Sequence, residues 1–505
     1  MFMKKKKMIL AVVALAVLGL LFFSLKYFSS TKHPYLEYQG TESKIDKDQE
    51  RMQQFIIGSS DIPQSGQVLW ESGKTAEMIS RFIYESLVSI SETKDIEFIL
   101  AEEISFHEEG TVADVVIRET VFSDGTALTA EKVKEAYLIL NQPGSSYAGM
   151  DLMKSVVGME EYQQGTAEDI SGIEVLSEKQ LRFQFQDVLL NNMQVFSMPV
   201  IHKIENKETY SGTGPYQIES VKGMQEIILS ENTYAKKNPY EYSTIRFVNM
   251  PLEVLNSQMK EFSPDAVIIS AQTSLDLFKQ QECYDIYGFP SGNYSYIGFS
   301  PDCKKSVQEA VCAVTDPAGI YRNIRSVNSP SVEYMTAEGI TAAAKGGESF
   351  RKLAKGLNAE KLSKTLREQL NGATLKFLCP DNTIARMYYK EFADQFGQYD
   401  IKVEGIFVDA AKMQEYLYKE NTYDFYFSYE MSETPKQIIE KNYDKDELKS
   451  LLKTVLERDC KKMYDTLEET NFKEKLIVPV DVQKQYLAVL SDCHNKEMLS
   501  QLLEW

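Results

Sequence analysis

The six cysteines of this 505-residue chain all lie in its second half, from Cys283 onward, and none forms a CxxC pair. So sparse a set makes no disulfide framework, and Cys283, Cys303, Cys312, Cys379, Cys460 and Cys493 read as small buried hydrophobes. The absence of any cysteine near the N-terminus excludes lipid attachment there. Histidine is scarcer still: His33, His107, His202 and His494 are scattered without metal-ligand spacing, so no zinc site is expected and no metal or cofactor is called for. Basic residues are outnumbered, 55 against 74 acidic, for a net charge of −19. A chain that acidic lacks the clustered Lys and Arg that phosphate backbones require, which excludes a nucleic-acid partner. There is no GxSxG elbow, no HExxH pair and no Walker loop. The Gly212–Gly214 run leads straight into Pro215, which has no N–H to offer a phosphate, so it reads as a turn. Nothing in this inventory argues for catalysis. No repeat of 20–50 residues is visible. Apolar residues at 43% and charged residues at 26% exclude a disordered chain.

What is present begins at the N-terminus. Lys4, Lys5, Lys6 and Lys7 precede an apolar run of eighteen residues, 8–25, interrupted only by Gly19 and Ser24. At about 1.5 Å per residue such a helix just spans the hydrocarbon core. The lysines hold its start in the cytoplasm, so the rest of the chain is extracytoplasmic. A small-x-small cleavage site is missing, because bulky Tyr27 and Phe28 stand where it should be. The expectation is an uncleaved signal anchor over 1–30, a single transmembrane helix in the cell membrane. Residues 31–53 are polar, lack periodicity and read as a tether.

From residue 54 the pattern is mixed α/β. Residues 55–60 read as a strand entering a small-residue loop, and 75–88 as a helix on Met78, Ile79, Phe82, Ile83 and Leu87. Residues 112–122 alternate as a strand before the turn Ser123–Asp124–Gly125. Thr129 is an N-cap for a helix to Leu140. Residues 171–186 form a hairpin, and 216–221 and 226–231 are strands around Lys222 and Gly223. Leu448, Leu451, Leu452, Val455, Leu456, Met463 and Leu467 make one broad helical stripe.

Several of these segments, in order, resemble the family 5 extracellular solute-binding proteins, the oligopeptide- and dipeptide-binding receptors of ABC importers. RFIYESLV (81–88) resembles their early helix, and FSDGTALTAEKV (122–133) is close to "F-x-DGTPLTAEDV", with Ala127 replacing Pro. EEYQQGTAEDISGIEVLSEKQLRFQF (160–185) resembles the oligopeptide-type loop and hairpin, and GTGPYQIES (212–220) contains the family's "GTGPY". YIGFS (296–300) with VQEAVCAVTDPAGIYRNI (307–324), and LIVPVDVQKQYL (476–487), complete the series, which spans 54–490. Two departures stand out. Gln308 replaces the usual Arg, and YDFYFSYEMSETP (423–435) lacks the family's Trp, the only tryptophans being Trp70 and Trp505.

The resemblance implies an α/β, bilobal, periplasmic-binding-protein-like fold with a ligand cleft between its lobes. Lobe I would take 54–270, with an inserted subdomain near 80–165, and lobe II 271–477. Residues 478–505 would return to lobe I, and the hinge crossings would fall near Ser270 and Val478. A receptor of broad specificity must hold what all peptides share, the main chain and the α-ammonium. The candidates are Ser59, Ser60 and Asp61 after the first strand, and the run Tyr426, Phe427, Tyr429, Glu430 and Glu433. The family spacing places the ammonium-binding acid on Glu433, with Glu430 as the alternative. The expected function is a membrane-tethered, monomeric peptide- or solute-binding component serving ABC permease subunits. The alternative is a degenerate receptor or sensor on the same fold that signals to a membrane partner; a third reading, an exported enzyme, finds no motif.

Overall fold

A computed structural model describes residues 35–41, 49–90, 96–188, 190–205, 209–251, 255–269, 272–327, 333–336, 349–419, 422–429, 439, 443–456, 460–493 and 495–503. The expected anchor over 1–30 lies outside these residues. Among them no helix is long and apolar enough to cross a membrane.

The strand Gln54–Ser59 sets the architecture. Its alternating residues are buried on both faces: Phe55 and Ile57 enter one core and Ile56 another. A strand buried on both sides belongs inside a sheet flanked by helices. It pairs in parallel with Thr244–Asn249 and with Ala266–Ile269. Among the described residues twelve strands share this sheet. From one edge the order is Tyr216–Val221, Glu226–Glu231, Thr244–Asn249, Gln54–Ser59, Ala266–Ile269, Ile477–Leu490, Tyr284–Phe299, Phe425–Tyr429, Leu375–Pro380 and Val403–Val408. Leu36–Tyr38 adds to Tyr284–Phe299, and Glu333–Thr336 to Ile477–Leu490. A separate four-stranded antiparallel sheet is formed by Ala101–His107, Val112–Ile117, Gln180–Gln184 and Ile173–Ser177.

The two long strands divide the molecule into lobes. Tyr284–Phe299 and Ile477–Leu490 run antiparallel from Tyr284↔Leu490 to Gly298↔Ile477, with register breaks between Pro290 and Tyr294 and between Ser295 and Tyr296. On one side of the breaks Tyr287, Phe289, Leu487 and Val489 belong to the large first core. On the other side Ile297, Val478 and Val480 belong to the core built by Lys305–Val314, Ala359–Leu370 and Thr383–Gly397, while Tyr296 and Ile477 stay with the first core. One face of the strand pair thus keeps to the first core across the breaks, and the other changes from the core holding Ile286, Tyr486 and Ala488 to the core holding Ile297, Val478 and Val480. Ser270, one expected crossing point, lies outside the described residues. The helix Lys445–Leu456 sends Leu448, Leu451 and Leu452 into the first core, where Leu452 and Val188 both lie beside Gly110.

Two elements end earlier than the periodicity predicts. The helix predicted over 75–88 spans Lys74–Ile83. The Ile83 carbonyl accepts from the Gly214 N–H at 2.9 Å, so another segment occupies the helix end, and Leu87 is buried beyond it. The strand predicted over 112–122 stops at Ile117. Arg118 turns away, its backbone N–H on Leu100 O and its Nε on Ala101 O. The Thr129 cap holds: its hydroxyl accepts from the Lys132 N–H at 3.2 Å and starts Ala130–Asn141. The broad leucine stripe is carried by two helices, Lys445–Leu456 and Cys460–Glu474, with 457–459 outside the described residues.

Candidate functional site

Ser59 ends the strand Gln54–Ser59 and is 1% exposed. Its hydroxyl and the Thr75 hydroxyl, 2.7 Å apart, both donate to Asp61 Oδ1. Asp61 Oδ2 faces the Thr75 N–H at 3.5 Å, in the first turn of Lys74–Ile83. An acid there complements the partial positive charge of the helix N-terminus. The structure thus brings Ser59 and Asp61 together, but ties them to the helix start. Ser60 stands exposed beside them.

The second candidate group lies on Phe425–Tyr429, which pairs with Ser295–Phe299 of the long strand. Alternation separates its side chains. Phe427 is fully buried and stacks on Tyr388 at 4.7 Å in the second core, where Phe425 meets Phe377 at a tilt, 4.6 Å away. Tyr426 points the other way. It is half-buried over Gly298 and meets Tyr296 and Tyr423 at 6.4 and 6.0 Å. Of the run, Tyr426 is the one described side chain left partly open. The Tyr429 backbone pairs with Ser295; Glu430 and Glu433 lie outside the described residues.

Sequence reasoning missed a polar group at the pivot. Asp481, 2% exposed, sits opposite Ser295 at the register break. Its Oδ2 accepts from the Tyr388 hydroxyl, and Ser295 also donates to the carboxyl, while Oδ1 is buried without a partner. Burial raises its pKa to about 6, against the opposing pull of these two hydrogen bonds. Close by, Arg351 donates to the carbonyls of Pro479 and Thr315. The one signal in the sequence was a lone acid inside the apolar segment IVPVDV (477–482).

Cys283, Cys303, Cys312, Cys379 and Cys493 are free thiols, with Cys312 and Cys379 fully buried. Burial pushes the Cys303 and Cys312 thiols up to about 12, so neither is a ready nucleophile. Among the described residues no group of three or more His, Cys, Asp or Glu could hold a metal ion.

Two lobes joined by a pair of continuous strands, with a candidate aromatic wall beside the crossing, define the class of bilobal periplasmic-binding-protein-like receptors. The sequence model described as bacterial extracellular solute-binding proteins, family 5, middle region, matches residues 95–437. The chain belongs to that family. Solved structures agree on the fold. MppA, a periplasmic murein tripeptide binding protein in its unliganded open form, has a TM-score of 0.68 at 14% identity, covering 89% of this chain and 94% of its own. HbpA2 from Haemophilus parasuis reaches 0.64 at 13% identity, covering 86% and 95%. NikA from Brucella suis, solved with Fe(III)-EDTA, reaches 0.54 at 14% identity, covering 86% and 95%. No curated protein sequence matches the chain.

Proposed function

We propose that this protein is a membrane-tethered, monomeric, extracytoplasmic receptor that binds oligopeptides between its lobes and serves an ABC importer. The observation that carries the reading is the pair of long strands, Tyr284–Phe299 and Ile477–Leu490, one face of which changes cores across the register breaks while the other stays with the first core. Such strands can flex while each core stays packed, which is how hinge closure works. Peptide as the ligand class rests on the ordered motifs and on the aromatic–acidic run 423–435. In this reading Tyr426 offers a wall to a peptide side chain and Glu433 pairs with the α-ammonium, Glu430 being the alternative acid.

Mass spectrometry of whatever co-purifies with the full-length protein identifies the ligand class directly. Calorimetry then tests the clamp. A free tetrapeptide should bind wild type about thirty-fold more tightly than its N-acetylated form, because acetylation removes one member of a buried charge pair. Glu433→Gln should erase most of that discrimination. Equal acetylation costs in both proteins would remove Glu433 from the role. No binding of either peptide at millimolar concentration would sink the peptide reading. The second reading, a sensor that signals to a membrane partner, would then stand; the missing Trp in 423–435 favours it.

Retention of the anchor is checked by intact mass. The mature protein should keep residues 1–30 and stay in the membrane fraction. A mature N-terminus beyond residue 28 would refute the anchor.

A further inference from the structure

The segment following the proposed anchor does not hang free of the body. We propose that the strap Tyr35–Thr41 is a coupling element that clamps both crossing strands at the pivot, so that the position of the lobes is read by the chain leading to the membrane. This rests on the receptor reading above, with its moving lobes and N-terminal anchor, and adds a route by which the cleft communicates.

The strap is built onto Tyr284–Phe299. Leu36 pairs with Tyr287 and Tyr38 with Ile286, antiparallel with a bulge between them. The Gly288 N–H donates to Tyr35 O at 2.9 Å, and the Thr41 N–H to Glu282 O at 2.5 Å. The Gly40 N–H donates to Asp285 Oδ1 at 2.8 Å. The same Asp285 oxygen accepts from the Ser491 hydroxyl at 2.8 Å, so the strap's anchor residue also holds the end of the other crossing strand. Beyond the breaks this edge of Tyr284–Phe299 is covered by Phe425–Tyr429; before them the strap covers it. An edge left bare there would expose unpaired backbone groups.

The side chains show that the strap does more than cover an edge. The Glu37 carboxylate pairs with the Lys484 ammonium. Lys484 lies on the second crossing strand, opposite Pro290, in the last pair before the register breaks. The Lys484 side chain is 14% exposed and that of Glu37 39%, so the ammonium is sheltered while the carboxylate still meets the solvent that weakens surface pairs. Gly288 makes room for it. A Cβ there would lie 2.5 Å from Glu37 Oε1 and 2.8 Å from Lys484 Cε. The Tyr35 ring adds a contact to Phe289 at 6.3 Å. One short strand thus grips both crossing strands next to the point where they change cores. Any lobe rotation that twists these strands changes the fit of the strap, and by linkage strap docking biases the lobes equally in return. Nine residues, ten steps of chain, separate Leu25 from Tyr35. At their full extension of about 35 Å, the pivot is held near the proposed membrane segment.

The test uses the full-length protein in lipid nanodiscs without ligand, so its outcome is independent of whether peptide is the cargo. Labels are placed by codon suppression at the exposed Lys154 and Gln398, one on each lobe, and their distance distribution is measured beside amide hydrogen exchange. Glu37→Gln removes the ion pair without adding bulk, and Gly288→Val pushes the Glu37 and Lys484 side chains apart. Both variants should shift the inter-lobe distance distribution and speed exchange of the amides of 294–299 and 477–482 about tenfold, a local opening spreading across the pivot. Should exchange rise only within 35–41 and 284–290, with the distance distribution unchanged, the strap is an edge cover and the coupling is refuted. Glu37→Gln decides the matter if Gly288→Val fails to fold.

Discussion

Gly212→Ala should cost about 3 kcal/mol of folding stability, while Gly397→Ala should cost nothing measurable. A Cβ on Gly212 would lie 2.0 Å from the Ile83 carbonyl oxygen and 2.7 Å from Tyr84 Cδ1. Both neighbours are fixed. Ile83 is the last residue of Lys74–Ile83, its carbonyl accepts the Gly214 N–H, and Tyr84 is 6% exposed. The Gly212 carbonyl in turn accepts from the Ser123 N–H at 2.9 Å, and Asn232 Nδ2 donates to Gly214 O at 2.8 Å. Backbone packed on backbone has no flexible tip to move, so relief requires shifting a helix end, at the upper end of the usual overpacking cost. A Cβ on Gly397, by contrast, would meet nothing within 4 Å. Urea unfolding followed by Trp70 fluorescence reports this lobe, since Trp70 packs on Tyr210 at 4.9 Å, two residues before the motif. An unchanged midpoint for Gly212→Ala would show that the motif is not the packing joint described here.

That joint explains what was legible in the sequence and what was not. The motif at 212–216 was readable as turn chemistry, but its partner, the end of a helix some 130 residues earlier, was not. Strands Tyr216–Val221 and Glu226–Glu231 were found where predicted, because alternation and the Lys222–Gly223 tip are local signals. The Thr129 cap is local for the same reason. Leu36–Tyr38 was read as polar tether, since its strand character is conferred by Asp285, Gly288 and Lys484, more than 240 residues away. The candidate site divides along the same line. FYFSY shows period-2 alternation, but which face meets the second core is decided by Tyr388 and Phe377. Ser59 and Asp61 were singled out by the loop after a strand; their bonds to Thr75 depend on how Lys74–Ile83 returns to that loop. The lone acid at Asp481 was visible, but only the pairing of two distant strands shows that it sits at the pivot.

Asp481→Asn should stabilise the protein at pH 8 by up to about 3 kcal/mol and give little or no gain at pH 4. The buried carboxyl, with Oδ1 unpartnered, is held at about 6 instead of the ordinary 3.8, which corresponds to about 3 kcal/mol between the two protonation states. Because the folded pKa is raised, the folded state binds the proton more tightly than the unfolded chain does. The contribution is therefore fully present below pH 3.8, is lost as pH rises through about 6, and leaves a charged, penalised group at neutral pH. Asparagine has nearly the same shape, can still accept from Tyr388, and carries no charge to desolvate. Asp114 and Glu226 behave in the opposite sense. Arg182 holds Asp114 below the usual carboxylate range, and Lys222 and Arg246 do the same for Glu226 against the opposing effect of burial, so both lose stabilisation as pH falls. They titrate alike in wild type and variant and cancel in the difference between the two. Denaturant midpoints of both proteins from pH 4 to 8 measure that difference. A gap that does not widen across this range would show that Asp481 is not the titrating group. A widening gap would mean that wild type carries a destabilising charge where its two crossing strands change cores. Amide exchange over 294–299 should then slow in Asp481→Asn at pH 8, because removing the penalty makes local opening of the pivot costlier.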